Sequence, residues 1–410
     1  MELLYTNENG DLMVDRELEA AGSRGTEVIK ASDFIPMPEG ATLTSLPHRV
    51  PVGVNARGRA EASMRGGWPV AALLPQGFTR TLLPAYETPS DVPEPVLPLL
   101  GYTAVAMQDG ELMVAAVQTD EHKKWHPNHF NTKDLPRRIE KVKAALPHNR
   151  IIQQLAHCSL EYGCFTAQNI FYRRWEGGLP VSRFCNARCI GCISEQESQC
   201  CPAPQGRISF RPRVKEIAEV GVFHLSAKGR DNIISFGQGC EGEPSLEADR
   251  IAKAIKVIRR NTPEGTINMN TNAGHSGCIQ RIVDSGLDTM RVSLFSAIPE
   301  HYAAYYRPKA YTLADVKNSI LYSVEKQVYV SLNLLVFPGY TDREEEIEAL
   351  LNFIEETGLQ KVQLRNLNID CEYFYDSLNL EPEKSLGLEE LIKRLRQSGV
   401  EVGNYSTPKI

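Results

Sequence analysis

From Gly178 onward the sequence alternates between short strand-like runs and longer stretches with helical spacing. Stretches such as LEADRIAKAIKVIRR and REEEIEALLNFIEETG separate the strand-like runs, and SLGLEELIKRLRQSG supplies a final helix. The strand-like runs are LPVSRF, IISFGQG, TINMNTN, TMRVSLFS, YVSLNLLVF and KVQLRNLNI. Parallel neighbours in a sheet can be joined only by long crossovers, and the sites of such sheets collect at the carboxyl ends of the strands. The sequence therefore predicts an α/β fold with a partial (β/α)6 barrel of parallel strands.

The chain of 410 residues is longer than a single compact core usually becomes, so we expect more than one domain. The first part is rich in Pro and Gly and contains short apolar runs bounded by turn residues, which predicts a β-rich N-terminal domain over residues 1–120. Its clearest element is YTAVAMQDGELMVAAV, because Asp109 and Gly110 can take the two positive φ angles of a tight hairpin turn.

The stretch between the two regions has helical periodicity. Asp134 can cap LPRRIEKVKAAL, and Ile151, Ile152 and Leu155 fall on one stripe of the next helix. We predict a helical connector over residues 121–177 that packs on the region C-terminal to it, and assign residues 178–410 to the barrel with its C-terminal helix.

Charge and hydropathy exclude several classes of protein. A net charge of -6 argues against a general nucleic-acid binder. No apolar run approaches the roughly 20 residues that cross a bilayer, and the acidic start MELLYTNENGDLMVDRE is unlike a secretory signal. We therefore expect a cytoplasmic protein with no membrane contact. In a reducing compartment, clustered cysteines are more often metal ligands or catalytic thiols than disulfides.

Five of the ten cysteines fall within FCNARCIGCISEQESQCC, residues 184–201. Cys185, Cys189 and Cys192 have the spacing C-x3-C-x2-C and directly follow the first predicted strand. Three thiolates on one loop can hold three irons of a [4Fe-4S] cluster and leave the fourth iron open. The alternatives are a structural zinc site that recruits Cys200 or Cys201, and a four-thiolate cluster for electron transfer.

The motif CNARCIGC, followed by a β/α repeat with GEP after its second strand, resembles the radical S-adenosylmethionine (radical SAM) superfamily over residues 178–370. The resemblance implies a [4Fe-4S] cluster whose open iron binds the amino and carboxylate groups of S-adenosyl-L-methionine (SAM). One electron then cleaves SAM to a 5'-deoxyadenosyl radical, which abstracts hydrogen from a substrate. One position departs from the family, because Gly191 stands where a bulky residue usually packs on the adenine.

The resemblance also implies residues that bind SAM. In FGQGCEGEP, a glutamate beside the SAM ammonium group gives a charge-assisted hydrogen bond, and glycines such as Gly242 allow close backbone approach. Glu243 matches the family motif, and Glu241 is its competitor because it would point to the same side of an extended segment.

Further candidates for SAM binding lie on later strands, although each could equally be a satisfied core group. Thr271 and Asn272 resemble the family's TN position, and Ser293 matches a serine that contacts SAM. Arg291 or Arg307 is predicted to pair with the SAM carboxylate. The fifth predicted strand and the turn after it supply weaker candidates, which are Asn333, Val336 and Phe337.

The remaining cysteines have open alternatives. Cys158 and Cys164, together with Cys200 and Cys201, could hold an auxiliary cluster or be free thiols. Cys371 follows the last predicted strand and is a candidate catalytic hydrogen-atom donor, with an inert core cysteine as the alternative.

The partners expected are an electron donor and an unidentified substrate. A locally basic stretch between residues 122 and 150 could attract an acidic flavodoxin or ferredoxin, or could be a solvated helix face. RNA is a weaker alternative, because no RNA-binding motif accompanies the charge. The N-terminal domain contains no known module and its role is not defined by the sequence; substrate selection is a candidate role for it.

Overall fold

The computed structural model describes residues 1–25, 27–89, 96–121, 123–196, 203–227, 231–378 and 384–409. The N-terminal part consists of antiparallel strands in one ten-stranded, one three-stranded and one two-stranded sheet. The strands are β1 (Glu2–Thr6), β2 (Leu12–Glu19), β3 (Ala21–Arg24), β4 (Glu27–Lys30), β5 (Ile35–Pro36), β6 (Thr42–Ser45), β7 (Val50–Val54), β8 (Ala60–Ala62), β9 (Trp68–Leu73), β10 (Phe78–Arg80), β11 (Leu83–Pro84), β12 (Tyr86–Glu87), β13 (Tyr102–Gln108), β14 (Glu111–Val114) and β15 (Ala116–Gln118).

The predicted hairpin is confirmed. Strands β13 and β14 pair with Gln108 opposite Glu111, and Asp109 and Gly110 have φ angles of 51° and 84°. Both turn residues therefore take the positive φ values that the Asp-Gly pair predicted.

Three helices connect the N-terminal strands to the second sheet. They are α1 (Leu135–Ala145), α2 (Arg150–Glu161) and α3 (Phe165–Tyr172). Helix α2 begins at a cap in which the side chain of Asn149 accepts hydrogen bonds from the backbone N–H groups of Ile151 and Ile152. Ile151, Ile152 and Leu155 are buried in the same hydrophobic core as the barrel helices, which agrees with the predicted apolar stripe.

The second sheet is parallel and has its strands in chain order. Its strands are β16 (Glu176–Gly178), β17 (Ile233–Phe236), β18 (Thr266–Thr271), β19 (Thr289–Leu294), β20 (Tyr329–Val336), β21 (Lys361–Asn366) and β22 (Glu401–Gly403). The helices are α4 (Val214–Leu225), α5 (Ala248–Asn261), α6 (Ser276–Val283), α7 (Pro299–Tyr306), α8 (Leu313–Glu325), α9 (Glu344–Thr357), α10 (Cys371–Leu378) and α11 (Leu388–Gln397). The predicted α/β class, with a β-rich N-terminal region and a parallel partial barrel, is confirmed.

The first and last strands differ from the sequence expectation. The first strand ends at Gly178, and LPVSRF after it forms no ladder: Pro180 has no N–H, and the N–H groups of Val181 and Ser182 donate to the carboxylate of Glu241. The seventh strand, β22, has only three residues and was too short for its sequence pattern to be recognised.

The two faces of the parallel strands have opposite chemistry. Apolar residues such as Met290 and Val292 on β19 pack in the core with the helices, whereas polar residues alternate with them. The polar side chains bond across neighbouring strands: Asn268 donates to Ser235, and Arg365 to Asn333. The inner face of the sheet therefore surrounds a polar lumen instead of the packed aliphatic interior of a closed barrel.

The N-terminal strands pack against the carboxyl end of β21. The backbone N–H of Arg80 donates to the Asn366 side chain at 3.0 Å, and Asn366 donates back to the carbonyl of Phe78 at 3.1 Å. The fully buried guanidinium of Arg80 also donates to the carbonyl of Leu367 at 2.6 Å. The end of the barrel at which sites collect is thus partly covered by the N-terminal strands. No helix in the described ranges has the length and apolar character needed to span a membrane.

Candidate active site

The three-cysteine loop directly follows the segment after β16 and is held by helix α7. The backbone N–H groups of Arg188 and Ile190 donate to the carbonyls of Tyr306 and Tyr305 at 3.0 and 3.1 Å. After the helix, the N–H of Lys309 donates to the carbonyl of Asn186 at 2.7 Å. These bonds fix the loop backbone on both sides of Cys189.

The thiols of Cys185, Cys189 and Cys192 are free, and they lie close enough to affect one another electrostatically. Burial raises the pKa of Cys185 to about 11, and the nearby Glu243 adds to this. Burial also raises the pKa of Cys189 well above its usual value, with further contributions from Cys192 and Cys185. Arg207 opposes both shifts, and its Nη2 donates to the sulfur of Cys192 at 3.7 Å. Three thiolates so close together require additional positive charge, which metal ions supply.

Cys189 and Cys192 line a cavity of about 250 Å³, which we call the cysteine cavity. Its charged lining residues are Arg188, Arg207, Arg307 and Glu195, of which three are cationic. A thiolate donor set with surrounding cations suits an anionic iron–sulfur centre. A zinc site would need a fourth ligand, and the candidates Cys200 and Cys201 lie outside the described residues.

The loop FGQGCEGEP after β17 lies directly on the segment before Cys185. The N–H groups of Gly242 and Glu243 donate to the carbonyls of Ser182 and Phe184 at 2.9 and 2.8 Å. A Cβ atom at Gly242 would be 2.1 Å from the carbonyl oxygen of Phe184, so the backbones could not approach this closely with any other residue.

Glu241 and Glu243 differ in how many hydrogen bonds their carboxylates already accept. Glu241 accepts four backbone N–H groups, from Val181, Ser182, Gly237 and Gln238. A carboxylate has about four lone-pair positions, so this side chain is saturated. Burial raises the pKa of Glu241 to about 7, against the effect of these four donors.

Glu243 keeps one acceptor position for a ligand. Its carboxylate accepts from Ser245 N at 2.9 Å, Thr271 Oγ1 at 2.5 Å and Asn272 N at 2.8 Å. Three donors leave one of about four lone-pair positions. Burial raises the pKa of Glu243, and the donors from Asn272, Thr271 and Ser245 act in the opposite direction.

Asn272 connects this carboxylate to the cysteine loop. Its Nδ2 donates to Oδ1 of Asn186 at 2.7 Å, next to Cys185. The Nδ2 of Asn186 is buried and has no acceptor within the described chain, so a donor next to the first cysteine is available to a ligand. The structure thus brings Gly242, Glu243, Thr271 and Asn272 together beside the cysteines.

The other predicted SAM residues are more dispersed. Ser293 lies in register with Asn333 on the next strand, and Asn333 lines the lumen. Arg307 is exposed and lines the cysteine cavity. Phe337 is fully buried, where it stacks on Phe374 at 4.1 Å.

A larger cavity of about 720 Å³, the main cavity, joins the cysteine loop to the lumen. Gly191 and Tyr305 line it near the cysteines, Phe78 lines it from strand β10, and Glu176 and Arg365 line it within the barrel. Glu176 and Arg365 were not among the site residues predicted from the sequence. Parallel strands buried on both faces are usually continuously apolar, whereas KVQLRN, which contains Arg365, alternates polar and apolar residues. This alternation could have indicated a polar inner face of the sheet.

Gly191 is next to an aromatic ring that comes from another element. A Cβ at Gly191 would be 2.9 Å from the hydroxyl of Tyr305, whose ring stacks on Phe295 at 4.6 Å. Tyr305 therefore occupies space that a bulky residue before Cys192 would need.

The other cysteines singled out in the sequence occupy different places in the fold or lie outside the described residues. Cys158 is buried in the core and Cys164 lines the main cavity, but their proposed partners Cys200 and Cys201 are not among the described residues. Cys371 begins α10 near Arg80 and Tyr86 of the N-terminal strands, and burial raises its pKa to about 12.

Residues 179–354 match the family model described as the Radical SAM superfamily. With the parallel strands and the three-cysteine loop that it includes, this match identifies residues 179–354 as a radical SAM domain. Membership of that domain in the superfamily implies an iron–sulfur cluster and SAM as its cofactors. No curated protein sequence matches the chain.

Solved structures similar to this chain include several radical SAM proteins. A radical SAM methyltransferase from Sphaerobacter thermophilus is 14% identical with a TM-score of 0.41, and the match covers 56% of this chain and 65% of that one. Streptococcus suis SuiB bound to precursor peptide SuiA is 12% identical with a TM-score of 0.38, covering 63% and 53%. Methylornithine synthase is 10% identical with a TM-score of 0.36, covering 58% and 75%. The chain thus spans less than two thirds of the length of the first two.

Proposed function

We propose that this enzyme cleaves SAM reductively at a [4Fe-4S] cluster held by Cys185, Cys189 and Cys192, and uses the product radical to abstract hydrogen from a substrate. When bound, the cluster and SAM supply a 5'-deoxyadenosyl radical. The observation that carries the proposal is the juxtaposition of three thiols with a buried carboxylate, Glu243, that keeps one free acceptor position.

The protein's own groups would orient SAM. Glu243 would accept the SAM ammonium group in a charge-assisted hydrogen bond, and Thr271 and Asn272 hold that carboxylate in place. For the SAM carboxylate we favour Arg307 over Arg291, because Arg291 already contacts Glu176 at 3.4 Å within the lumen. Ser293, Asn333 and Phe337 are proposed as weaker contributors.

The N-terminal domain would exclude water from the reaction. Its strands cover the carboxyl end of β21, and Phe78 reaches the main cavity. The thiol of Cys371 keeps its proton at neutral pH, which is the form that a hydrogen-atom donor requires. It lies beside Arg80 and Tyr86 at the edge of this region.

An acidic flavodoxin or ferredoxin is the proposed electron donor, and the cysteine loop offers it a basic surface. Arg183, Arg188, Arg307 and Lys309 are exposed there, and Phe184 between them is 64% exposed. The predicted basic stretch of the connector is less suitable, because several of its cations form ion pairs. These pairs are Lys123–Glu121, Lys124–Asp231, Arg138–Asp134 and Lys143–Glu140.

The test is SAM cleavage by anaerobically purified protein reduced with dithionite, with 5'-deoxyadenosine measured by mass spectrometry. Cys189→Ser should lose both the ~400 nm iron–sulfur absorption and product formation, because a thiolate ligand is removed. Cys278→Ser, on α6 and away from the loop, should keep both. Product formation by Cys189→Ser at the wild-type rate would contradict the proposal.

A further inference from the structure

The main cavity contains an unequal number of positive and negative charges. Among its described lining residues, the ionised groups are one carboxylate, Glu176, and two guanidinium groups, Arg291 and Arg365. All three are on the polar inner face of the barrel. Since charges inside a protein are normally paired, the partner of each one has to be identified.

Glu176 and Arg291 neutralise each other. Nη2 of Arg291 lies 3.4 Å from Glu176, and the hydroxyls of Ser235 and Ser406 donate to the same carboxylate at 2.8 and 2.7 Å. Although burial acts to raise it, Arg291 and the two hydroxyls hold the pKa of Glu176 below its usual value. This pair therefore contributes no net charge to the lumen.

Arg365 has only neutral partners in direct contact. Its guanidinium donates to the amide oxygens of Asn333 at 3.2 Å, Asn404 at 3.0 Å and Gln363 at 3.1 Å, and also to Gln76. No carboxylate of the described chain forms an ion pair with it. Glu176 and Asp120 act on it only through space: Glu176 is in contact with Arg291, and the carboxylate of Asp120 accepts the N–H of Asn404.

The charge of Arg365 therefore persists without a direct counter-ion. Burial lowers its pKa to about 9, with Arg291 contributing, so the guanidinium stays protonated at neutral pH. A guanidinium in this state is suited to a carboxylate or phosphate, with which it can form two parallel charge-assisted hydrogen bonds.

We propose that the lumen around Arg365 binds an oxyanion group, a carboxylate or a phosphate, of a polar substrate. This inference rests on the proposed function and assigns its substrate class. The main cavity, about 720 Å³, falls in the range of small-molecule sites and continues to the cysteine loop at Gly191 and Tyr305. An anion held at Arg365 would thus anchor a substrate whose other end points toward the radical source.

The N-terminal domain takes part in this site. Gln76, between β9 and β10, accepts a hydrogen bond from Arg365, and Asn366 next to it bonds the carbonyl of Phe78. Substrate selection by the N-terminal domain, a candidate role from the sequence, then has a physical basis. The domain positions the guanidinium and closes the cavity above it.

The test is a titration of cluster-loaded, SAM-saturated protein with inorganic phosphate and, separately, with glutarate, at constant ionic strength maintained with NaCl. The readout is the melting temperature, which rises with ligand concentration when the folded state binds the ligand. A saturable rise with phosphate alone indicates a phosphorylated substrate, and a rise with glutarate alone a carboxylate. The proposal would be overturned if neither probe gave a saturable rise in melting temperature.

Variants assign the effect to one guanidinium. Arg365→Gln should weaken the apparent affinity for the active probe at least tenfold, and Arg365→Lys, which keeps the charge, should weaken it less. Arg260→Gln removes a positive charge from the exposed surface of α5 and should leave the titration unchanged. Equal affinities in Arg365→Gln and wild type would contradict the assignment.

The proposed function is checked separately by SAM binding in equilibrium dialysis. A loss of SAM affinity in Arg365→Gln as large as the loss of probe affinity would place this residue in the cofactor site and overturn the inference. If the wild type bound no SAM, the proposed function would fail, and the probe titration of SAM-free protein would still decide whether Arg365 binds an oxyanion.

Discussion

Replacing Glu241 and Glu243 one at a time by Gln separates a carboxylate that supports the fold from one that is proposed to bind SAM. In Glu241→Gln, the single amide oxygen can keep about two of the four backbone N–H donors. The amide NH2 then faces the other two. Each buried donor left without an acceptor costs about 1 to 3 kcal/mol, so the variant should lose about 2 to 6 kcal/mol of unfolding free energy.

Glu243→Gln should mainly affect the ligand. The remaining amide oxygen can still accept from Asn272 or Thr271, but the charge-assisted bond to the SAM ammonium is lost. Such a bond contributes about 1.5 to 3 kcal/mol, which corresponds to a SAM dissociation constant raised about 10- to 150-fold. The structural loss should be smaller than in Glu241→Gln, because fewer donors are involved.

Both variants are compared at pH 8, above the pKa of about 7 for Glu241, so that its wild-type carboxylate is ionised. Urea unfolding gives the stability, and equilibrium dialysis under anaerobic conditions gives the SAM affinity. Glu264→Gln, on the exposed surface, is the matched control. The reasoning would be refuted by a Glu241→Gln protein that unfolds at the wild-type urea concentration and has lost SAM binding.

Three further predictions concern pH, packing and the domain interface. Burial lowers the pKa of His224 to about 4, although the imidazole bonds the carbonyl of Trp175. As the pH falls from about 6.5 to 4, His224 therefore takes up a proton in the unfolded chain but not in the folded protein. Over that pH range the unfolding free energy should fall by up to about 3 kcal/mol. This decrease should be absent in His224→Gln when urea midpoints of the two proteins are compared across the same range. Gly191→Phe should clash with the Tyr305 hydroxyl and lower the unfolding free energy by about 1 to 3 kcal/mol. The double variant with Tyr305→Ala should recover at least half of the decrease in melting temperature. No recovery would show that the two side chains do not compete for the same space. Arg49→Met should lower the unfolding free energy by about 3 kcal/mol, because Nη2 of Arg49 forms a buried 3.2 Å ion pair with Asp370, the residue before α10. A wild-type urea midpoint in this variant would contradict the prediction.

Strand and helix periodicity were sufficient to predict the parallel barrel, because its alternation repeats over more than 200 residues. The hairpin at Asp109 and Gly110 was also predictable, since its turn depends on local φ angles alone. The first parallel strand was displaced because a distant side chain, Glu241, satisfies the N–H groups of LPVSRF. Such long-range hydrogen bonds leave no periodic signal.

The candidate site was predicted only in part for the same reason. The sequence could place Glu241 and Glu243 in one loop, but the choice between them depends on counting donors from three other segments. Likewise, the sequence does not show that Arg365 lacks a carboxylate partner, because its hydrogen-bond partners are amides of its own strand, of β20 and of the C-terminal segment. Helix α7, which holds the cysteine loop, has a weakly amphipathic sequence and was missed.

The central claim is that three cysteines hold a cluster with one iron available to SAM. Mössbauer spectroscopy of anaerobically purified, ⁵⁷Fe-enriched protein, recorded before and after SAM is added, tests it most directly. The account predicts four irons per chain, one of which changes its spectrum when SAM binds while the other three do not. Zinc in place of iron, or four irons that are all unaffected by SAM, would contradict it.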